Sequence, residues 1–271
     1  MVRATFDSIA DTYDDVGVDF FGPIADELLR GLELRPGERV LDVGCGKGAV
    51  LARAGAAVGT DGLAVGVDLS PRMVEAAKAA TSGLPVEVRV GDAEDPPVHE
   101  LTFDAITSSA VLFFVPDPLR ALRAWHALLD DGGRIGISTF GDYTTAWRHV
   151  DAVFEPYLPP QLRDARTSGT KGPFDSDAGV EGLLRDAGFG ELRTSSSVIQ
   201  ARFTDEEHWQ QWSLSTGQRA FWELVPEDKR DEIRDEAYRR LQDCRDAAGR
   251  IGFDQVVRYT YGRRLEASPH E

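Results

Sequence analysis

Apolar and polar positions follow two different periods along the middle of the chain. Short apolar runs with the length of buried strands occupy residues 40–43, 64–67, 86–90, 103–108 and 134–139. Between these runs, apolar residues recur at helical spacing in residues 49–57, 71–80 and 118–129. Strands and helices in alternation predict an α/β fold, in which a parallel sheet is covered by helices on both faces.

The regular alternation is confined to the middle of the chain. Before it, helical spacing of apolar residues predicts a helical segment that ends at Gly31. After it, the pattern predicts helices at 144–154, 176–188 and 205–248, strands at 191–203 and 255–264, an exposed loop at 163–173 and a disordered tail from residue 266. Because no linker divides the chain, we predict a single domain over residues 1–271, with a helical N-terminal segment (1–35), a core (36–140) and helical insertions (141–175 and 204–250).

Composition narrows the function mainly by exclusion. The 271 residues include 30 basic and 46 acidic side chains, which give a formal net charge of −16. Such a surface repels nucleic-acid phosphates and anionic membranes, so we expect neither as a partner. The apolar runs are too short to span a bilayer, and the N-terminus lacks the pattern of a secretory signal. With two cysteines, Cys45 and Cys244, a cytoplasmic location is the expectation.

The most informative segment is VLDVGCGKG, residues 40–48, in which an apolar strand runs into three alternating glycines. Glycines allow a sharp turn and a close approach of the backbone to a ligand. A P-loop is excluded because Lys47 is followed by Gly48 rather than by Ser or Thr. A dinucleotide loop would need the spacing Gly-x-Gly-x-x-Gly. The observed spacing, with Asp42 before it, favours a cationic ligand without phosphate, while a purely structural turn is the alternative.

Two more acidic residues follow predicted strands. Asp68 ends the second strand, where a carboxylate can bind both hydroxyls of a ribose. Asp92 follows the third strand, within reach of an adenine amino group. Each aspartate alone could equally be a helix cap or a turn residue. Three acids at neighbouring strand ends, however, indicate one shared ligand.

Together these motifs resemble the class I S-adenosylmethionine-dependent methyltransferases, and among them the small-molecule group similar to quinone-biosynthesis methyltransferases. The resemblance extends over residues 5–140 and rests on LDVGCGKG (41–48), GVDLSPRM (66–73), GDAE (91–94), FDAITSS (103–109) and LLDDGGRI (128–135). It implies a Rossmann-like, doubly wound and mostly parallel sheet with an antiparallel last strand. It also implies S-adenosyl-L-methionine as the cofactor and an N-terminal lid over residues 1–35.

The resemblance assigns a role to particular residues of this chain. Gly44, Cys45 and Gly46 would contact the amino-acid end of the cofactor, and Asp42 would face its ammonium group. Asp68 would hold the ribose, and the adenine would lie among Leu69, Met73, Asp92 and Ala93. Ser108 and Ser109 would line the methionine portion, and Tyr13 would close over the cofactor from the lid.

The residues that handle the methyl acceptor are less well marked. His149, His208 and Glu223 are candidate general bases, and each could equally be an ordinary exposed helix residue. We assign no metal ligands. Aromatic residues are concentrated in the late helical insertions and after the fourth strand: Phe113, Phe114, Trp147, Phe154, Trp209, Trp212, Phe221 and Trp222. Although core packing explains some of them, their number predicts a hydrophobic or aromatic acceptor.

The resulting hypothesis is an enzyme that methylates oxygen, carbon or nitrogen of a hydrophobic or aromatic small molecule in specialised metabolism. One alternative is a quinone-biosynthesis C-methyltransferase, and another is a non-catalytic sensor that binds S-adenosylmethionine. A nicotinamide-dependent oxidoreductase is disfavoured by the glycine spacing. Whether the chain forms a homodimer is left open by the sequence.

Overall fold

A single seven-stranded sheet organises the part of the chain that the structure, a computed structural model, describes: residues 2–158 and 172–265. The segment 159–171 and the tail from residue 266, where a loop and disorder were predicted, lie outside the described residues. In chain order the strands are β1 (Arg39–Val43), β2 (Leu63–Asp68), β3 (Val86–Val90), β4 (Phe103–Ser109), β5 (Leu129–Tyr143), β6 (Phe189–Phe203) and β7 (Ile251–Arg264).

The helices fall into three groups: two before the sheet, three between its first five strands and five in the later part of the described chain. They are α1 (Val2–Ile9), α2 (Phe21–Leu32), α3 (Ala49–Val58), α4 (Pro71–Ala80), α5 (Pro118–Leu128), α6 (Thr145–Asp151), α7 (Asp177–Asp186), α8 (Glu206–Leu214), α9 (Arg219–Leu224) and α10 (Arg230–Leu241). None of the helices in the described ranges is long and apolar enough to cross a membrane.

The strand order is β3-β2-β1-β4-β5-β7-β6, and β7 alone runs antiparallel to its neighbours. β1 lies inside the sheet and pairs in parallel with both β2 and β4. The predicted fold class is therefore confirmed: the sheet is Rossmann-like and mostly parallel, with an antiparallel last strand. Because parallel strands end at the same edge, the loops after β1, β2, β3 and β4 are brought together.

Side chains of alternate residues enter two different cores, as the period of a strand requires. In β1, Leu41 and Val43 belong to a cluster with α5 and α7, whereas Val40 belongs to a cluster with α2 and α3. The second of these clusters extends into the late helices through Trp147, Trp209 and other aromatic residues. The late insertions are thus packed onto the sheet and share its core.

Two predicted boundaries are wrong in an instructive way. The strand predicted at 134–139 begins at Leu129, which pairs with Phe103 before a bulge at the Asp-Asp-Gly-Gly turn shifts the register to Arg134. The helical region predicted at 205–248 consists of three helices, α8 to α10, separated at residues 215–218 and at Pro226, and the last of them ends at Leu241. Proline lacks the backbone donor that a continuing helix needs, so a break there is expected.

One ion pair links Glu38, just before β1, to Arg134 on β5. The Arg134 guanidinium donates to both carboxylate oxygens of Glu38, at 3.0 and 2.8 Å, and also to the carbonyl of Leu32 at the end of α2. Both side chains are largely buried, with 15% and 12% of their surface exposed. Burial alone would raise the pKa of Glu38, but the hydrogen bonds and charge of Arg134 lower it, and the net shift is downward. The pair therefore stabilises the ionised carboxylate in the folded state.

Replacing Arg134 with methionine should lower the free energy of unfolding at neutral pH by about 2–3 kcal/mol, because Glu38 then stays buried without its charged partner. The difference from the unsubstituted protein should shrink as the pH falls through the lowered pKa of Glu38, since a protonated carboxyl needs no cation. Urea denaturation at several pH values measures both effects. Arg30→Met is the matched control: Arg30 pairs with Glu27 at an exposed site, where the expected loss is below about 0.5 kcal/mol.

Candidate active site

The glycine loop after β1 turns back against β2. The amides of Gly44 and Cys45 both donate to the carbonyl of Val67, at 2.7 and 3.1 Å. Gly44 and Gly46 have φ values of +75° and +51°, which non-glycine residues rarely adopt. A Cβ atom on Gly46 would meet no protein atom within 4 Å. The backbone there is thus open to a ligand.

Asp68, at the end of β2, joins this loop to the next one. One carboxylate oxygen accepts from the amide of Gly46 and the other from the amide of Ser70, both at 2.9 Å. Burial raises the pKa of Asp68, while these two hydrogen bonds act in the opposite direction. Each oxygen retains a further lone pair, so the carboxylate can still accept hydroxyl groups from a ligand.

Asp42 lies beneath the loop and is almost fully buried. Its Oδ1 atom accepts from the Thr107 hydroxyl at 2.8 Å, whereas Oδ2 is buried and has no hydrogen-bond partner among the described residues. Burial raises the pKa of Asp42 to about 7; the bond from Thr107 lowers it and the nearby Asp68 raises it. A cation brought near this carboxylate would favour its ionised form.

A cavity of about 400 Å³, here called the cofactor cavity, opens at this edge of the sheet. Nine of the twelve residues predicted to bind the cofactor line it: Tyr13, Gly44, Gly46, Asp68, Leu69, Met73, Asp92, Ala93 and Ser109. The structure thus brings together residues from the lid and from the ends of four strands.

The other three predicted cofactor residues do not line the cavity. Asp42 lies below the loop, and Ser108 is fully buried with its hydroxyl donating to the carbonyl of Val43 at 2.9 Å. Cys45 is buried against Gly66, and burial raises the pKa of its thiol. A buried thiol in such an environment is a poor nucleophile.

The N-terminal segment covers the cavity and is fixed by named contacts. Arg72 on α4 donates to the carbonyl of Asp7 and to the carboxylate of Asp11, and Lys47 donates to the carbonyl of Tyr13 at 3.0 Å. Burial, with repulsion from Asp14 and Asp68, raises the pKa of Tyr13. Tyr13 therefore stays a neutral phenol in the wall of the cavity.

A second cavity, of about 360 Å³ and here called the aromatic cavity, adjoins the first. Eleven of its 21 described lining residues are aromatic: Phe6, Tyr13, Phe20, Phe21, Phe113, Phe114, Phe140, Trp147, Trp212, Phe221 and Phe253. Five residues line both cavities: Val2, Phe6, Tyr13, Ala110 and Phe114. Two small molecules bound in these cavities would therefore meet at a shared boundary.

The three candidate bases line neither cavity. His149 is exposed on α6, and Glu223 is exposed and paired with Arg219 at 2.9 Å. His208 has both ring nitrogens engaged: Nδ1 accepts from the amide of Thr204 at 3.2 Å, so Nε2 must donate to the carbonyl of Val16 at 2.7 Å. His208 thus anchors the segment between α1 and α2, which is a structural role.

Several lining residues escaped the sequence reasoning. Among the aromatic residues of the late helices, Phe154, Trp209 and Trp222 pack in the core and line neither cavity. Asp151, Gln218 and Gln255 were not predicted, yet all three line the aromatic cavity. They come from α6, from the turn before α9 and from β7, so no local motif connects them. The spacing of apolar residues predicts helices and strands, but it does not predict that these three distant residues meet in one cavity.

The chain is similar in sequence to known methyltransferases. Residues 41–137 match the family model described as a methyltransferase domain. The chain is 38% identical over 273 residues to nocamycin O-methyltransferase of Saccharothrix syringae, covering 95% of this chain and 96% of that relative. It is 37% identical over 164 residues to the aklanonic acid methyltransferase DauC of Streptomyces sp. strain C5, covering 59% of this chain and 74% of that relative.

A solved structure shares the fold. Phosphoethanolamine N-methyltransferase 2 of Haemonchus contortus, in complex with S-adenosyl-L-methionine, superposes with a TM-score of 0.54 at 16% identity, over 89% of this chain and 52% of that one. The similarity to nocamycin O-methyltransferase extends over nearly the whole of both chains. The chain therefore belongs to the class I S-adenosylmethionine-dependent methyltransferases.

Proposed function

We propose that this enzyme transfers a methyl group from S-adenosylmethionine, bound in the cofactor cavity, to a hydroxyl group of an aromatic small molecule in the aromatic cavity. The observation that carries the proposal is the shared boundary of the two cavities. The similarity to nocamycin O-methyltransferase supports oxygen as the methylated atom. Both it and the aklanonic acid methyltransferase bear names of small organic acceptors, which supports specialised metabolism.

The residues present fit this cofactor. Its amino-acid end would lie against the open backbone of Gly46, and its ribose hydroxyls would donate to Asp68. Asp42 supplies a buried carboxylate oxygen without a partner, which is suited to a positively charged ligand. The adenine would lie among Leu69, Met73 and Asp92. Binding of the cofactor would thus supply donors to Asp68 and bring a positive charge near the buried carboxylate of Asp42.

When bound, S-adenosylmethionine would supply an electrophilic methyl group on a sulfonium. A phenolic or enolic acceptor that has lost its hydroxyl proton before transfer would form the O–CH3 bond as the S–CH3 bond breaks, releasing a neutral thioether. The chain therefore needs no acid for the leaving group. Its residues hold the acceptor and exclude water: Phe6, Tyr13 and Phe114 form an apolar wall where the cavities meet. Orientation of this kind can contribute about 7–11 kcal/mol at most.

Other expectations from the sequence stay predictions. The net charge of −16 supports an acceptor other than nucleic acid. The sequence led us to expect a cytoplasmic location and left a homodimer open. No contact among the described residues bears on either point. The roles of 1–35 as a lid and of 204–250 as an acceptor-site insertion are supported by Tyr13 and Phe221, which line the aromatic cavity. The insertion predicted at 141–175 lies partly outside the described residues.

Asp68→Ala should weaken binding of S-adenosylmethionine by about 100-fold, because two hydrogen bonds to a charged acceptor are lost. Isothermal titration calorimetry measures the affinity, and Asp61→Ala, at an exposed position after α3, is the matched control. Thermal melting checks that the loop, which Asp68 also supports, stays folded. Unchanged affinity in the folded variant would contradict the assignment.

Asp42→Asn should remove a pH dependence of cofactor affinity. In the unsubstituted protein Asp42 ionises near its raised pKa of about 7, so affinity for the cationic cofactor should rise between about pH 6 and pH 8. The asparagine variant should bind about tenfold more weakly at the upper pH and show little such rise. Titration of the cofactor itself affects both proteins equally. The ratio of their affinities at each pH therefore isolates the contribution of Asp42.

The same substitution should have the opposite effect on the free protein. The carboxyl of Asp42 has a higher pKa when folded than when unfolded, so its ionisation lowers the free energy of unfolding as the pH rises toward 7. In the Asp42→Asn variant the free energy of unfolding should no longer fall over this pH range. Urea denaturation without cofactor, repeated at several pH values, measures that free energy. A parallel pH profile in both proteins would show that Asp42 does not titrate in this range.

Planar phenols should be methylated or bound in preference to aliphatic alcohols of similar size. Formation of S-adenosylhomocysteine with each compound detects turnover, and quenching of Trp147 and Trp212 detects binding, since both line the aromatic cavity. For an accepted phenol, Phe140→Ala should lower kcat/KM by about tenfold or more through lost apolar contact. Affinity for the cofactor is the internal control, because Phe140 does not line the cofactor cavity. Turnover with no phenol, or a preference for aliphatic alcohols, would contradict the proposed acceptor.

A further inference from the structure

The aromatic cavity has one polar region, which the proposed reaction does not use. It is formed by Asp151 at the end of α6, Gln218 before α9 and Gln255 on β7. Asp151 and Gln255 are buried, with 4% and 7% of their surface exposed. Polar side chains in such a place are normally satisfied by hydrogen bonds. The hydrogen-bonding capacity that the two glutamines retain therefore indicates what a ligand must supply.

The orientation of the Gln218 amide follows from its neighbour. Its Nε2 atom donates to Oδ1 of Asp151 at 3.4 Å. A carboxylate can only accept, so the nitrogen of the amide must face it and the oxygen must point away. The oxygen, Oε1, is buried and accepts no hydrogen bond from the described residues. Gln218 thus presents an unsatisfied acceptor.

Gln255 is arranged in the same way. Its Nε2 atom donates to the carbonyls of Gly141 and Val256, at 2.9 and 2.8 Å. Both of its N–H groups are engaged, so the oxygen is the polar atom that Gln255 has left to offer a ligand. The two glutamine oxygens are therefore the hydrogen-bond acceptors that this region of the cavity offers to a ligand.

A ligand that fills the cavity must carry groups that can hydrogen-bond to these acceptors. A hydrogen-bond donor would satisfy Gln218, whereas an ether or a hydrocarbon would leave its oxygen buried and unpaired. Trp212, which lines the same cavity, has a buried indole N–H without a partner among the described residues. A hydroxyl group can both donate to an amide oxygen and accept from an indole.

The polar region is separate from the place of reaction. Asp151, Gln218 and Gln255 line the aromatic cavity but not the cofactor cavity. The walls shared by the two cavities come from other residues, among them Phe6 and Phe114. The three polar side chains would therefore hold a part of the acceptor remote from the methylated atom.

We propose that Gln218, supported by Asp151 and Gln255, is a specificity-determining residue that binds a second hydroxyl group of the acceptor, distinct from the one that is methylated. The inference rests on the proposed function, since it concerns the same aromatic acceptor. It narrows the substrate class to aromatic molecules that carry a phenolic or enolic hydroxyl at a distance from the reacting oxygen.

The test compares two probes that share a ring system and differ in one donor: 2-naphthol and 2-methoxynaphthalene. Their affinities are measured by calorimetry with protein saturated with S-adenosylhomocysteine, so that no turnover occurs. The unsubstituted protein should prefer 2-naphthol by about tenfold. Gln218→Met, which keeps the length of the side chain without its amide, should abolish the preference. The matched control, Gln211→Met, changes an exposed glutamine on α8 and should leave the preference intact.

The outcomes separate this inference from the proposed function. Equal affinities in the unsubstituted protein, or a preference that survives Gln218→Met, would overturn the role of Gln218 while leaving an aromatic acceptor in place. Binding of neither probe to the S-adenosylhomocysteine complex would contradict both. The affinity for S-adenosylhomocysteine itself should be the same in all three proteins, which shows that Gln218→Met leaves the fold intact.

Discussion

Parallel pairing of β1 with both β2 and β4 is the constraint on which the site depends. The pairing fixes Asp42 opposite Gly66 on one side and opposite Thr107 on the other. It also sets the glycine loop beside the end of β2, where Val67 accepts from the loop and Asp68 accepts from Gly46. A shift of the register by one residue would reverse the face of every side chain and take Asp42 away from Thr107. The carboxylates of the site are thus placed by the backbone of the sheet.

The parts of the site that could be predicted are those encoded in short, continuous segments. The spacing of Gly44, Gly46 and Gly48 after an apolar strand identified the loop, because few other residues adopt the backbone conformation found there. Asp68 and Asp92 were found because Asp68 ends β2 and Asp92 lies two residues after the end of β3, in the same sheet. Strand ends in a parallel sheet converge by topology, so local pattern was enough to place these residues in one cavity.

What could not be predicted depends on contacts between distant segments. His208 had the chemistry of a base, but its partners Thr204 and Val16 occupy both ring nitrogens. Asp42 had the right residue type and position, but its depth below the cavity follows from the packing of the loop above it. The pattern of aromatic residues predicted an apolar acceptor, yet it could not tell Trp212 in the cavity wall from Trp209 in the core. Neighbours on the same helix, three positions apart, can differ in this way.

The position of α1 has a consequence for the order of events in a catalytic cycle. Val2 and Phe6, from one short helix, form part of the wall of both cavities. The helix is joined to the rest of the protein mainly at its C-terminal side, through Arg72 with Asp7 and Asp11 and through Ile9 packed on Met73. In the proposed reaction, movement of α1 away from one cavity would also open the other, which would couple exchange of the spent thioether to departure of the methylated product. A bulky product held against Phe6 would then keep the thioether in place, and release rather than methyl transfer would limit turnover.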